Sequence, residues 1–242
     1  MVFGLFSKEK ALQKTVERAT NKLAQQVDRM GALDKLREDG TEEALFGLCK
    51  RFGVTSMKGV EDEQEKNWVV DVLVEKGGAT IAPLVRYMKN AEQLAFPLKV
   101  LERVADHDKT LAIVDELFKG EPPGYVRMPE RRIDMLRWIT EWTAATDDEV
   151  IKRVSPYVVD FDENSRFSAI DGLATKDPVK IAAPLLDALL RVEEESGRIK
   201  RTIVEILERK KVPIGDRGPQ VAALLTGQLA DFKVVDGLVK KR

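Results

Sequence analysis

One cysteine in 242 residues excludes an internal disulfide. It is Cys49, inside the apolar run ALFGLCKRF, a setting that predicts a small buried thiol in a reducing compartment, the cytoplasm. There is also one histidine, His107, flanked by Asp106 and Asp108. Consecutive residues of a turn do not converge on one ion, and no second His or Cys group supports them, so this triplet predicts a solvated loop. Aromatic residues make up 6% of the chain, and no apolar run approaches the 18 residues a membrane span needs. The start MVFGLFSKEK has neither the basic n-region nor the small-residue cleavage site of a secretory signal. The formal charge is −1, which gives no global pull toward nucleic acid or anionic lipid. A phosphate-binding loop, a dinucleotide fingerprint, HExxH and a nucleophile elbow are all missing from the sequence. The expectation is therefore a protein without cofactor or metal.

What the chain does have is helical periodicity and repetition. Apolar residues fall at three- and four-residue steps almost throughout, which predicts an all-α fold. Leu12, Val16, Ala19, Leu23, Val27 and Met30 form one stripe, predicting a continuous first helix over 7–30. Five stretches then recur in one hydrophobic phase: VVDVLVEKG, VLERVADHD, MLRWITEWT, AIDGLATKD and IVEILERKK. They are anchored at Val69, Val100, Met135, Ala169 and Ile203, spaced by about 34 residues. A period of this length marks stacked helical pairs, none of which can bury its apolar face alone. Calling the anchor helix of each pair B, the partner helices A are TIAPLVRYM, TLAIVDELF, VIKRVSPYVV, KIAAPLLDALL and PQVAALLTGQL. Residues 1–40 are then an N-terminal helical cap and 41–242 the repeat array.

The stretch SRFSAIDGLATKDP at 165–178 carries a basic residue three positions before a small anchor, an aliphatic residue beside it, another four positions on, and an Asp-Pro opening the next helix. The basic position is filled by Lys66, Arg132, Arg166 and Lys200, and Pro83, Pro156 and Pro184 fall inside A helices. In these features the chain over 41–242 resembles the HEAT-repeat family, with armadillo-type solenoids close behind. The resemblance implies a right-handed α-solenoid of about five to six helical hairpins. It also implies a non-enzymatic scaffold that binds a protein partner through its concave helix-B surface. The alternative it raises is a DNA-binding enzyme of the alkylpurine DNA glycosylase type, which would use Trp68, Trp138, Trp142 and Asp134 on an open face.

Three sets of residues are candidates for contact. The first is Trp138, Trp142 and Tyr125 with Arg131, Arg132 and Arg137, because Trp, Tyr and Arg dominate binding hot spots. The same tryptophans, four apart on one helical face, could equally fill the seam between helices. The second is the basic column, read either as an anion track or as half of a charge ladder. In the ladder it would pair with the acidic column two residues after the anchors: Asp71, Glu102, Asp171 and Glu205. The third is a basic C-terminal patch, Arg198, Lys200, Arg201, Lys210 and Lys211, followed by the tail Lys240-Lys241-Arg242. Nucleic acid is a weaker expectation than protein. Val2, Phe3, Leu5 and Phe6 ahead of Lys8 and Lys10 offer at most a weak membrane-surface contact for residues 1–10.

Overall fold

A computed structural model describes residues 2–242, with side chains from residue 8 onward. Among the described residues the chain is helical save for one small hairpin. The helices are α1 (Val2–Ala19), α2 (Gln26–Asp39), α3 (Glu42–Cys49), α4 (Gly59–Glu75), α5 (Ile81–Met88), α6 (Ala95–Val104) and α7 (His107–Lys119). They continue as α8 (Glu130–Glu141), α9 (Asp147–Val154), α10 (Glu163–Leu173), α11 (Ala182–Leu190), α12 (Gly197–Arg209) and α13 (Gly218–Leu224).

Local chemistry sets the boundaries. Thr41, Asp162 and Ser196 each accept a hydrogen bond from a backbone N–H of the first turn of α3, α10 and α12. Thr146 and Glu149 form a reciprocal capping box at α9. The helix expected over 7–30 is two helices. α1 stops at Ala19, where the Thr20 hydroxyl donates to the Val16 carbonyl and the Asn21 side chain accepts from the Leu23 amide. Side chains of these types compete with the helix for its own backbone. Leu23 and Val27, read as part of one stripe, are consequently exposed.

The chain divides into two compact units, Met1–Leu117 and Phe118–Arg242. In the first, α2 packs on α4 and α4 on α6, and α1, α3 and α5 form a second row beside them. In the second, α8, α10 and α12 pack in sequence. Opposite them, the 3₁₀ turn Ser155–Val159 that follows α9 packs on α11, and α11 on α13. All five anchors, Val69, Val100, Met135, Ala169 and Ile203, are fully buried. The repeat in the sequence is therefore a repeat in the core. Gly172 shows how close the B helices come: a Cβ built there would stand 2.3 Å from Thr140 Cγ2, so α10 lies on α8 only because that side chain is absent.

The prolines of the A helices sit where the α-helical ladder changes. Pro156 lies in the 3₁₀ turn after α9, and Pro83 and Pro184 lie within the first turn of α5 and α11. Proline has no N–H to donate, so a helix can begin at it but not run through it undisturbed.

One element departs from the all-α expectation. Residues Phe232–Val235 (β1) and Leu238–Lys241 (β2) pair antiparallel, Val235 opposite Leu238. Asp236 and Gly237 make the turn, with φ of 52° and 72°, the signature of a two-residue hairpin loop. A further step of 34 from Ile203 falls on Gly237. The hairpin thus stands one period beyond the last anchor, with β2 packed on α12 and β1 on α13.

Candidate functional site

The six residues proposed for partner contact separate into interior and surface. Trp138 and Trp142 are buried and stacked on each other, ring centroids 5.0 Å apart and 20° from parallel. Their four-residue spacing fills the helix seam. As buried residues they offer no surface to a partner, and the open aromatic face that a glycosylase-type enzyme would need is not formed by them. Arg132 is fully buried as well. Arg131 is mostly covered, 3.2 Å from Glu121; burial lowers its guanidinium pKa, while Glu121 opposes the shift. Arg137 and Tyr125 are exposed, and only Tyr125 stands beside another exposed aromatic ring.

Arg132 explains why Tyr125 is held where it is. Its Nη1 donates to Asp160 at 2.8 Å and to the Gly124 carbonyl at 2.9 Å, and its Nη2 donates to the Pro122 carbonyl at 2.6 Å. The Asp160 carboxylate accepts in turn from the amides of Gly124 and Asp162. The Tyr157 hydroxyl donates to the Glu121 carbonyl at 2.8 Å, and burial pushes that phenol up to about 12. Gly124 has φ 137°, a conformation open to glycine. The segment 120–129 is therefore tied down along its inner side by a buried cation, a carboxylate and a phenol. On its outer side it carries Tyr125, Arg127 and Met128, all exposed.

The clamp recurs one repeat later. Arg166 stands 34 residues after Arg132 and pairs with Glu194, 28 residues ahead, as Arg132 does with Asp160. Glu194 accepts from the Ser196 amide, as Asp160 does from Asp162. Arg166 also donates to the carbonyls of Asp160 and Phe161, which fixes the backbone of Phe161. In each case a B-helix arginine grips the loop before its own helix and the acid of the next loop.

This places Arg132 and Arg166 of the basic column in a structural clamp, with partners other than the acidic column expected. Three residues before a buried anchor lies about 60° around the helix, beside the core; two residues after it lies about 200° away, in solvent. Hence Arg132 is buried, while Asp71, Asp171 and Glu205 are exposed. In the first unit Lys66 is buried too, but it pairs with Asp62 on its own helix. That carboxylate and Glu65 also hold Arg51, and Glu65 holds Arg29.

The surface feature that remains is the row of loops leading from A helices into B helices. Tyr125 and Phe161 come from successive loops of this kind and meet edge to face, centroids 5.4 Å apart and planes at 85°. They are 74% and 68% exposed. Met128 and Val192 are exposed on the same set of loops in this unit, as is Val159 at the end of the 3₁₀ turn that leads into one of them. In the first unit Met57 and Val60 precede or open α4 in the same way. Phe161 was not singled out from the sequence. Its signal was the period itself, since it lies between an acid and a cap residue, as Glu195 does one repeat on.

The C-terminal basic patch is partly committed. Arg198 lies over the Phe167 ring at 3.9 Å and near Glu163. Arg201 bonds Glu205, Asp231 and the Gln228 carbonyl. Lys210 and Lys211 follow the C-terminus of α12, where cations favour the helix dipole. The first residues, Val2, Phe3, Leu5 and Phe6, lie outside the described side chains. Among the described residues, no helix is long and apolar enough to cross a membrane, and no three His, Cys, Asp or Glu side chains are grouped to hold a metal ion.

Comparison of the chain with protein-family models, curated proteins and solved structures finds no match.

Proposed function

We propose that this chain is a HEAT-like helical-repeat scaffold, non-enzymatic, that binds a protein partner through the loops leading into its B helices in the second unit. The observation that carries this reading is the exposed Tyr125–Phe161 ring pair on a loop edge held from within by Arg132 and Arg166. Exposed aromatic rings on a pre-ordered backbone bind without the entropic cost of ordering a loop. The successive packing of B on B and A on A, with every anchor buried, supports the HEAT-like assignment and a solenoid arrangement. The lone thiol, buried and free, is in keeping with a reducing cytoplasm.

The loop edge displaces the helix-B surface as the contact region because the outward B positions are charged and partly paired among themselves. The test is affinity purification from the native cell with the wild type and with Tyr125→Ala/Phe161→Ala. Loss of a specific co-purifying protein from the variant, with an unchanged melting temperature, supports the reading. Retention of every partner by a folded double variant removes it.

A further inference from the structure

The hairpin turns one face away from its buried side. Register puts Lys233 directly opposite Lys240 and Val235 opposite Leu238. In a strand alternate residues share a face, so these four side chains lie together, away from the side that buries Phe232 and Val239. Lys233 and Lys240 are exposed, and Val235 and Leu238 are half-buried. Two like charges directly across a ladder repel each other. One acid, Asp236, reaches Lys240 at 3.4 Å, and no carboxylate reaches Lys233 among the described residues. Lys241 and Arg242 extend the positive charge at the open end of the hairpin. At its turn end the Ile214 amide donates to the Gly237 carbonyl. Lys211 lies three residues before Ile214, a reach of at most about 11 Å, and adds charge at that end together with Lys210. Over 209–242 the chain holds eight basic residues against three acids, Asp216, Asp231 and Asp236. Two of those acids are already bonded, to Arg201 and Lys240.

We propose that this outer hairpin face docks on an anionic lipid surface, the lysines meeting headgroup phosphates and Val235 and Leu238 the boundary beneath. Cations with aliphatic side chains on one face suit a membrane interface. A duplex backbone is bound through its phosphates and has no use for the aliphatic pair Val235 and Leu238 beside the lysines, and residues 233–242 hold no aromatic ring on which the bases of a single strand would stack.

The experiment is co-sedimentation of the full chain with vesicles rich in phosphatidylserine, and with pure phosphatidylcholine vesicles, at low and high salt. A labelled DNA duplex is titrated in parallel. The proposal expects salt-sensitive binding to the anionic vesicles alone. It expects Lys233→Glu/Lys240→Glu to lower that partitioning at least about tenfold with unchanged circular dichroism. Leu238→Asn should weaken it while leaving the charge intact. Three results would overturn it: no binding of the wild type, equal binding of the folded charge-reversed variant, or tighter binding to the duplex than to vesicles.

Discussion

Removing the Arg132 side chain tests the clamp. Arg132 and Asp160 are both fully buried at 2.8 Å, so Arg132→Leu leaves a carboxylate without its counter-charge. Breaking one side of a buried pair costs about 3–5 kcal/mol. Asp160 keeps two backbone donors, Gly124 and Asp162, which puts the expectation at the lower end. The Pro122 and Gly124 carbonyls lose a donor as well, but they lie in a loop that can turn to water. The net expectation is about 3 kcal/mol, or roughly 10 °C in the melting temperature of the second unit. Trp138 and Trp142 both belong to this unit, so urea titrations followed by tryptophan fluorescence in a Trp68→Phe background report on it directly. Asp160→Asn should cost a similar amount, about 3 kcal/mol, because its NH2 replaces an oxygen that accepts from a backbone amide and the buried guanidinium loses its counter-charge. The double variant should fall short of the sum by more than about 1 kcal/mol, the mark of coupled groups. Additive costs, or a single cost under about 1 kcal/mol as for an exposed pair, would refute the argument that this arginine holds the loop.

Three further outcomes follow. Gly172→Ala should destabilise by about 1–3 kcal/mol through overpacking on Thr140, and Thr140→Ala should recover most of the loss; an unaffected Gly172→Ala in urea denaturation would contradict the close helix approach. Burial opposes ionisation of Asp62, but hydrogen bonds from Lys66, Arg51 and the Ser56 amide outweigh it and hold the carboxyl down at about 2. A depressed folded pKa stabilises above the unfolded value and loses that contribution as pH falls. About 2 kcal/mol should therefore disappear between roughly pH 4 and 2, and Asp62→Asn should flatten the stability–pH profile there. Cys49, whose thiol burial pushes up to about 12, should resist a thiol reagent in the native state and react only on unfolding. Rapid native labelling would show that α3 opens locally.

The repeat was legible because its signal is local. An anchor every 34 residues fixes which helix face is inside, and all five anchors are buried as that reading requires. What escaped depends on pairs distant in sequence. Nothing near Arg132 announces an acid 28 residues on, and it was grouped with surface contacts although its helical phase placed it beside the core. Trp138 and Trp142 carry the same ambiguity, since stacked core rings and an exposed aromatic face share one spacing. Elsewhere a local cue lost to a broader pattern. Thr20-Asn21 breaks a hydrophobic stripe that continues past it, and Asp236-Gly237 makes the turn of a hairpin in a chain read as helical throughout.

That turn has a consequence for how the second unit can grow. A stacked array lengthens by laying each new helix pair on the exposed flank of the last, and the flank of α12 is already occupied by β2. Phe232 and Val239 are sealed beneath the strand pair, so the flank of α12 is closed by a β-hairpin where the other B helices are closed by a helix.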